Sequence, residues 1–226
     1  MKFTYYGHSA FLIEVCNKKL LFDPFITYNP LATEFDINKI EADYIFISHG
    51  HGDHIGDTVS IAKRTGATCV ACAEIAGWLE KQGIEKVWPM NHGGPIHFDF
   101  GTVRGVNAIH SSSLPDGTYA GNPLGFVFTT SEGDFYYSGD TALTLDMQLI
   151  PLWATLKFSI LPVGGNFTMD IADAIRASDF IKCNTVIGVH FDTFGFIKID
   201  HEKSFANFIN AGKKLLLPIV GKTIEI

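Results

Sequence analysis

The chain has 226 residues, 46% of them hydrophobic and 18% charged, and its net charge is 17 − 24 = −7. That composition excludes a disordered chain and leaves room for a sizeable core. Its only arginines are Arg64, Arg104 and Arg176 and no basic cluster is longer than a pair, so the footprint of a nucleic-acid binder is missing.

The N-terminus, "MKFTYYGHSAF", reads as a strand, with neither the long apolar region nor the cleavage site of a signal peptide. No apolar run approaches the ~20 residues of a membrane span, and a cytoplasmic protein is expected. "AFLIEV" and "KKLLF" continue as strands around a hairpin turn at "CNKK". "ADYIFIS" is a buried strand by its continuous β-branched and aromatic content. After it comes a β-α-β-α-β passage. "TVSIAKRTG" is a helix capped by Asp57 and closed by Gly66, "ATCVA" a strand, "AEIAGWLEKQG" a helix, and "EKVWPM" a strand. Cys69 and Cys72 form a lone CxxC, read as two small buried thiols rather than a redox pair.

From Pro95 to Asp140 the pattern is mostly strand, ending in "LGFVFTTSEGDFYYSGD", a hairpin around Glu132-Gly133. Then follow "ALTLDMQLI" (helix), "LKFSILPVGG" (strand), "MDIADAIRASDFIK" (helix), "NTVIGVH" (strand) and "DHEKSFANFINAG" (helix). Strands lead and helices follow, twice over. "FLIEVCNKKLLFDP" and "FVFTTSEGDFYYSGDT" are both hairpins whose second strand runs into an aspartate, Asp23 and Asp140. No linker divides the chain, so residues 1–226 are expected to form one domain, with sheets face to face and helices outside.

The densest chemistry lies at "DYIFISHGHGDHIGD", Asp43 to Asp57, where three of the nine histidines fall within six residues. A strand ending at Ser48 delivers this loop to a sheet rim, where sites are usually built. Gly50 and Gly52 permit unusual backbone angles between the ligating residues. His49 and His51 can then turn toward one point while Asp53 and His54 turn toward a neighbouring one. Imidazole and carboxylate suit zinc, manganese or iron. His110, Asp140 and His190 each follow an apolar run, so each would lie on a sheet rim.

"SHGHGDH", followed by His110, "SGDT" and "VHFDTF", resembles the metallo-β-lactamase superfamily of dinuclear metal hydrolases. "GHSAF", "LLFDPF", "NPLA", "PVGGNFTMD" and "HFDTF" are similar to its compact bacterial and archaeal branch of metal-dependent hydrolases, related to ascorbate-phosphate lactonase. The resemblance implies an α+β fold, a four-layer αβ/βα sandwich, for a single metallo-hydrolase domain. It further implies that His49, His51 and His110 hold one divalent ion and Asp53, His54 and His190 a second, with Asp140 bridging. Zinc is the leading candidate, manganese or iron the alternatives. Asp23 resembles the aspartate that orients a ligand from behind, although a strand-end aspartate next to Pro24 is an equal reading.

Two ions would share a hydroxide that attacks a carbonyl or phosphorus, with Asp53 and His54 as the catalytic residues and Asp53 orienting the nucleophile or moving its proton. The expected reaction is hydrolysis of a small ester, lactone or phosphate-containing molecule. The alternatives are a phosphodiesterase or nuclease on the same scaffold and a non-catalytic metal or redox protein. The acidic balance counts against the nuclease, and the lack of a flavin-binding domain against the redox protein. A small-molecule substrate is expected, and a homo-oligomer is allowed.

His8, Asn166 and Phe194 are candidate substrate contacts, and the Phe25–Ala32 loop a candidate pocket wall. Phe191 could line the pocket with Phe194. Asp170 reads as a helix cap. "HSSSLPDG" reads as a solvated turn, and His92, His97 and His201 as structural or surface residues.

Overall fold

The computed structural model describes residues 1–226. Two seven-stranded mixed sheets carry the fold. The first contains β1 (Lys2–Gly7), β2 (Ala10–Val15), β3 (Lys18–Phe22), β4 (Tyr44–Phe46), β5 (Thr68–Cys72) and β6 (Val87–Met90), with β14 (Thr223–Glu225) added outside β1. The second contains β7 (Pro95–Phe98), β8 (Gly101–Asn107), β9 (Leu124–Thr129), β10 (Asp134–Tyr137), β11 (Leu156–Pro162), β12 (Thr185–Val189) and β13 (Lys214–Leu216), in that spatial order. Each begins with antiparallel hairpins and switches to parallel pairing, β3 with β4 and β10 with β11.

Local chemistry explains these elements. Cys16 and Asn17, at φ 48° and 58°, form the two-residue turn that suits the twist of a β2–β3 hairpin. Helix α2 (Thr58–Thr65) stops where Gly66 takes φ 68°. Asp57 precedes it as expected but makes no side-chain cap. Its carboxylate instead accepts from Ile26 N (2.6 Å), Thr27 N (2.9 Å) and Thr27 Oγ1 (2.5 Å), anchoring the Phe25–Ala32 loop. Asp170 does cap α4 (Ile171–Phe180), accepting from Asp173 N at 2.9 Å. The expected helix at Ala142–Ile150 is a 3₁₀ segment, Leu145–Leu152, because Pro151 has no N–H to close an α-helical turn.

Aromatic rings fill the space between the sheets. Phe22 meets Phe128 at 5.5 Å between centroids, Phe46 meets Phe126 at 5.4 Å, and Phe11 meets Tyr137 at 5.0 Å. Residues of both sheets belong to one cluster of 60 buried side chains. Helix α3 (Ala73–Lys81) covers β5 and β6, α4 covers β11, and α5 (His201–Asn210) covers β13. Helices thus lie outside the sheets in the expected α+β sandwich. Cys69 and Cys72 are buried and free, and burial pushes the Cys69 thiol up to about 12, so these are core residues. No helix is long and apolar enough to cross a membrane.

Candidate metal centre

Six strand ends converge on one rim. His8 follows β1, Asp23 follows β3, His49 lies beyond β4, His110 beyond β8, Asp140 beyond β10, and His190 follows β12. His8, Asp23 and His190 have φ of 57°, 38° and 55°, a left-handed turn that non-glycine residues adopt at a cost and that recurs at functional sites. His51 and Asp53 flank the start of the one-turn helix α1 (Gly52–Ile55), which also carries His54. Neither Gly50 nor Gly52 has a positive φ. Gly50 is required for another reason: a Cβ there would collide with Ala120, whereas Gly52 has open space.

The atoms able to hold a metal fall into groups whose members lie within 4.8 Å of one another, among them His49, His51 and His110 in one and His8, Asp53, His54 and His190 in another. Asp140 stands between them. Its Oδ2 is 3.0 Å from His190 Nε2, 3.3 Å from His54 Nε2 and 3.7 Å from His110 Nε2. His8 brings a fourth donor that the sequence reading had placed at the substrate. Its ring is fully buried, with Nε2 3.1 Å from Asp53 Oδ2 and Nδ1 3.0 Å from Thr193 Oγ1.

Behind the groups lies Asp23, also fully buried. It accepts from Ser48 N (2.7 Å), Ser48 Oγ (2.6 Å), Tyr137 Oη (2.5 Å) and His54 Nδ1 (2.9 Å). The last bond fixes the His54 proton on Nδ1 and aims Nε2 at the cluster. Ser112, in the turn after His110, accepts from Gly50 N and donates to Ala120 O, both at 3.2 Å, steadying the His49–Gly50 loop.

Do these residues suit a cation? Three of their buried polar atoms, His54 Nε2, Asp140 Oδ1 and His190 Nδ1, have no hydrogen-bond partner, although buried polar atoms are nearly always satisfied. Burial opposes charge on His54, yet the carboxylates of Asp140 and Asp23 outweigh it and hold its pKa well above normal. Burial likewise opposes ionisation of Asp140, but His190 and His54 hold it well below the usual carboxylate range. Burial pushes His49, His51 and His110 down, toward the neutral, lone-pair-bearing form. The neutral imidazoles of His49, His51 and His110, the buried carboxylates and the unpartnered Asp140 Oδ1 together fit divalent ions.

The family model for a β-lactamase superfamily domain matches residues 2–190. The chain belongs to the metallo-β-lactamase superfamily. A metal-dependent hydrolase of Flavobacterium johnsoniae is 55% identical over 226 residues, the whole of both chains. One of Shouchella clausii is 44% identical over 231 aligned positions, again covering both chains fully. Among solved structures, the metallo hydrolase Igni18 of Ignicoccus hospitalis superposes with a TM-score of 0.89 at 34% identity, covering 99% of this chain and 97% of the other. An isothiocyanate hydrolase from Delia radicum gut bacteria shares the fold, with a TM-score of 0.83 at 19% identity over 100% and 99% of the chains. Like its full-length relatives, this superfamily member is a metal-dependent hydrolase.

Above the cluster opens a cavity of about 790 Å³, walled by His51, Asp53, His110, Asp140 and His190 on the ligand side. Its outer wall includes Ser111, Thr193, Phe167, Phe194 and Phe196. Phe194 therefore lines the cavity. His8, His54 and Asn166 do not line the cavity: the first two are fully buried behind its wall, and Asn166 is an exposed turn residue at φ 58°. His54 cannot act directly on a substrate from there. Phe191 stacks in the core at 6.2 Å from Tyr5, and the Phe25–Ala32 loop packs beside His8 without reaching the cavity. Sequence reasoning missed Thr193, Phe167 and Phe196. The aromatic run in "HFDTFGF" was the available signal for Phe196, and the "GGNFTMD" segment that offered Asn166 was the signal for Phe167.

Proposed function

We propose that the enzyme is a dinuclear hydrolase, most consistent with zinc, that cleaves a small ester, lactone or phosphate-containing substrate. The observation that carries this reading is Asp140, a buried carboxylate with one orphaned oxygen, whose other oxygen contacts histidines of both ligand groups. His49, His51 and His110 would hold one ion, Asp53, His54 and His190 the other, and Asp140 would serve both, with His8 close enough to join Asp53. Bound there, the ions would supply Lewis acidity to a water and to the substrate's carbonyl or phosphoryl oxygen.

The chain's own groups do the rest. Asp53 is partly exposed to the cavity and its Oδ2 accepts from His8. Burial would raise its pKa, but the His8 hydrogen bond and the His54 charge outweigh it and keep the carboxylate ionised far below neutral pH. As an ionised carboxylate facing the cavity, Asp53 is placed to orient the attacking water. Asp23 holds His54 from behind, and Thr193 holds His8.

Metal analysis of the purified protein, with hydrolysis assays on lactones, thioesters, β-lactams and phosphodiesters, tests the proposal. The expected result is two ions per chain and activity abolished by a chelator and restored by zinc. One ion per chain after full reconstitution, or turnover indifferent to chelation, would count decisively against it.

A further inference from the structure

The wall of the cavity facing away from the ligands is aromatic. Phe196 is 78% exposed and Phe167 55% exposed, and their rings stand edge to face with centroids 6.4 Å apart. Phe194 completes the wall against the His8 ring, 5.4 Å between centroids. Large apolar side chains exposed together in a concave site mark a binding surface.

Both loops that present these rings are built rather than slack. Phe167 leaves the turn at Gly165 (φ 71°) and Asn166, and Met169 N, two residues on, donates to Thr141 O at 2.9 Å, beside Asp140. Phe196 lies in a 3₁₀ turn, Gly195–Ile197. Asp192 clamps that turn: its N–H donates to Ile197 O (2.9 Å) and its Oδ1 accepts from Ile199 N (3.0 Å). Backbone held this way loses little freedom when a ligand is seated.

Equally telling is the charge. None of the 17 lysines and arginines lines the cavity. Arg64 is tied to Glu41 and Ile37 O, and Arg104 lies over Trp153, 4.5 Å from the ring centre. The helical turns that reach the cavity have three and four residues, too short to give a useful anion site. A phosphate or carboxylate remote from the reacting bond would meet phenyl rings and lose its hydration without a countercharge.

Resting on the hydrolase reading, we propose that the substrate is a neutral ester or lactone whose apolar acyl or aryl group seats against Phe167, Phe194 and Phe196. Water adds its oxygen and one proton to the acyl carbon, the acyl C–O bond breaks, and the second proton leaves with the alcohol. A second copy of the chain is the competing occupant of the aromatic wall. The continuity of that wall with the ligand cluster in one cavity favours the small molecule.

The test is a series of 4-nitrophenyl esters, acetate to hexanoate, with the 4-nitrophenyl half-ester of adipic acid and bis(4-nitrophenyl) phosphate as anionic comparisons, on metal-loaded protein. Expected is a rise in kcat/KM of about threefold per added methylene, as for a tail leaving water. The hexanoate should exceed the adipate half-ester by about tenfold. Phe167→Ala and Phe196→Ala, exposed positions that leave the fold intact, should lower hexanoate turnover more than acetate turnover. A flat series, a preferred anionic ester, or equal losses at every chain length would overturn the proposal. Calorimetry with hexanophenone, a neutral ketone that cannot be hydrolysed, separates the two readings. If no ester turns over with any metal the ester-hydrolase reading falls, while ketone binding weakened in both variants still upholds the apolar site. Absent ketone binding would overturn the apolar site, and variants that alter only self-association would assign the wall to another copy.

Discussion

The two sheets contain the same device used for different ends. In each, a hairpin, β2–β3 or β9–β10, is followed by a parallel strand and leads into an aspartate at the rim. Asp23 is saturated: two donors from Ser48 and one each from Tyr137 and His54 occupy its oxygens. Asp140 is starved: Oδ1 is buried with no partner, and Oδ2 faces only histidine nitrogens. One carboxylate has its charge spent inside the protein, and the other has its charge kept for a guest. The number of protein donors, more than position in the fold, distinguishes a support from a ligand.

Breaking the starved side should have the larger effect. Asp140→Asn keeps the shape and removes the charge that serves both ligand groups. Loss of Lewis-acid stabilisation worth several kcal/mol lowers kcat/KM by roughly a thousandfold. Metal content should fall by at least one ion per chain while circular dichroism stays native. Full metal content in this variant would mean that Asp140 is not a ligand.

On the saturated side the order reverses, with stability hit first. Asp23→Ala strands the Ser48, Tyr137 and His54 donors in a fully buried site, which costs about 3–5 kcal/mol when a buried charged partner is removed. Metal affinity should fall about 10–100-fold as His54 loses its orientation. Thermal unfolding and metal titration of the same variant check both. A stable variant with weak metal binding would make Asp23 a ligand rather than a support.

The starved side was the legible one. Asp140, His190 and His110 stand where apolar runs end, and the HxHxDH segment puts its candidate ligands within six residues. The saturated side is assembled from residues distant in sequence: Tyr137 is 114 residues from Asp23, and Thr193 is 185 from His8. Nothing near His8 in the chain announces that it is buried, because its cover comes from Phe25, Phe194 and His190. The hairpins and parallel strands were readable from apolar bursts and turn residues. Short β13 and β14 were not, being three residues each with mixed burial.

His8 carries the comparison into pH. In the chelated protein, burial and the neighbouring His190 push its pKa from 6.5 down to about 4, against the opposing pull of Asp53. The unfolded chain therefore takes up a proton between pH 6.5 and about 4 that the folded chain refuses. Stability is complete above that window and falls as pH drops through it, by roughly 3 kcal/mol for this group. Denaturant titrations of the chelated protein should show a shallower decline over that window in His8→Gln than in the parent. An equal decline would place the acid sensitivity elsewhere in the cluster.

Tyr137→Phe is the mildest cut and the sharpest probe of saturation. It deletes one of four donors to Asp23 and leaves the ring in its place between the sheets, 5.0 Å from Phe11. Burial pushes the Tyr137 phenol well above its usual pKa, so it stays a neutral donor throughout the working range. Losing one hydrogen bond to a charged acceptor costs about 1.5–3 kcal/mol. Three donors remain, including the one from His54, so metal affinity should move by no more than a few-fold. If affinity falls as far as in Asp23→Ala, the orientation of His54 depends on the whole donor set, and saturation is part of the metal site itself. If only stability moves, the phenol solvates a buried charge and the His54 bond alone does the aiming.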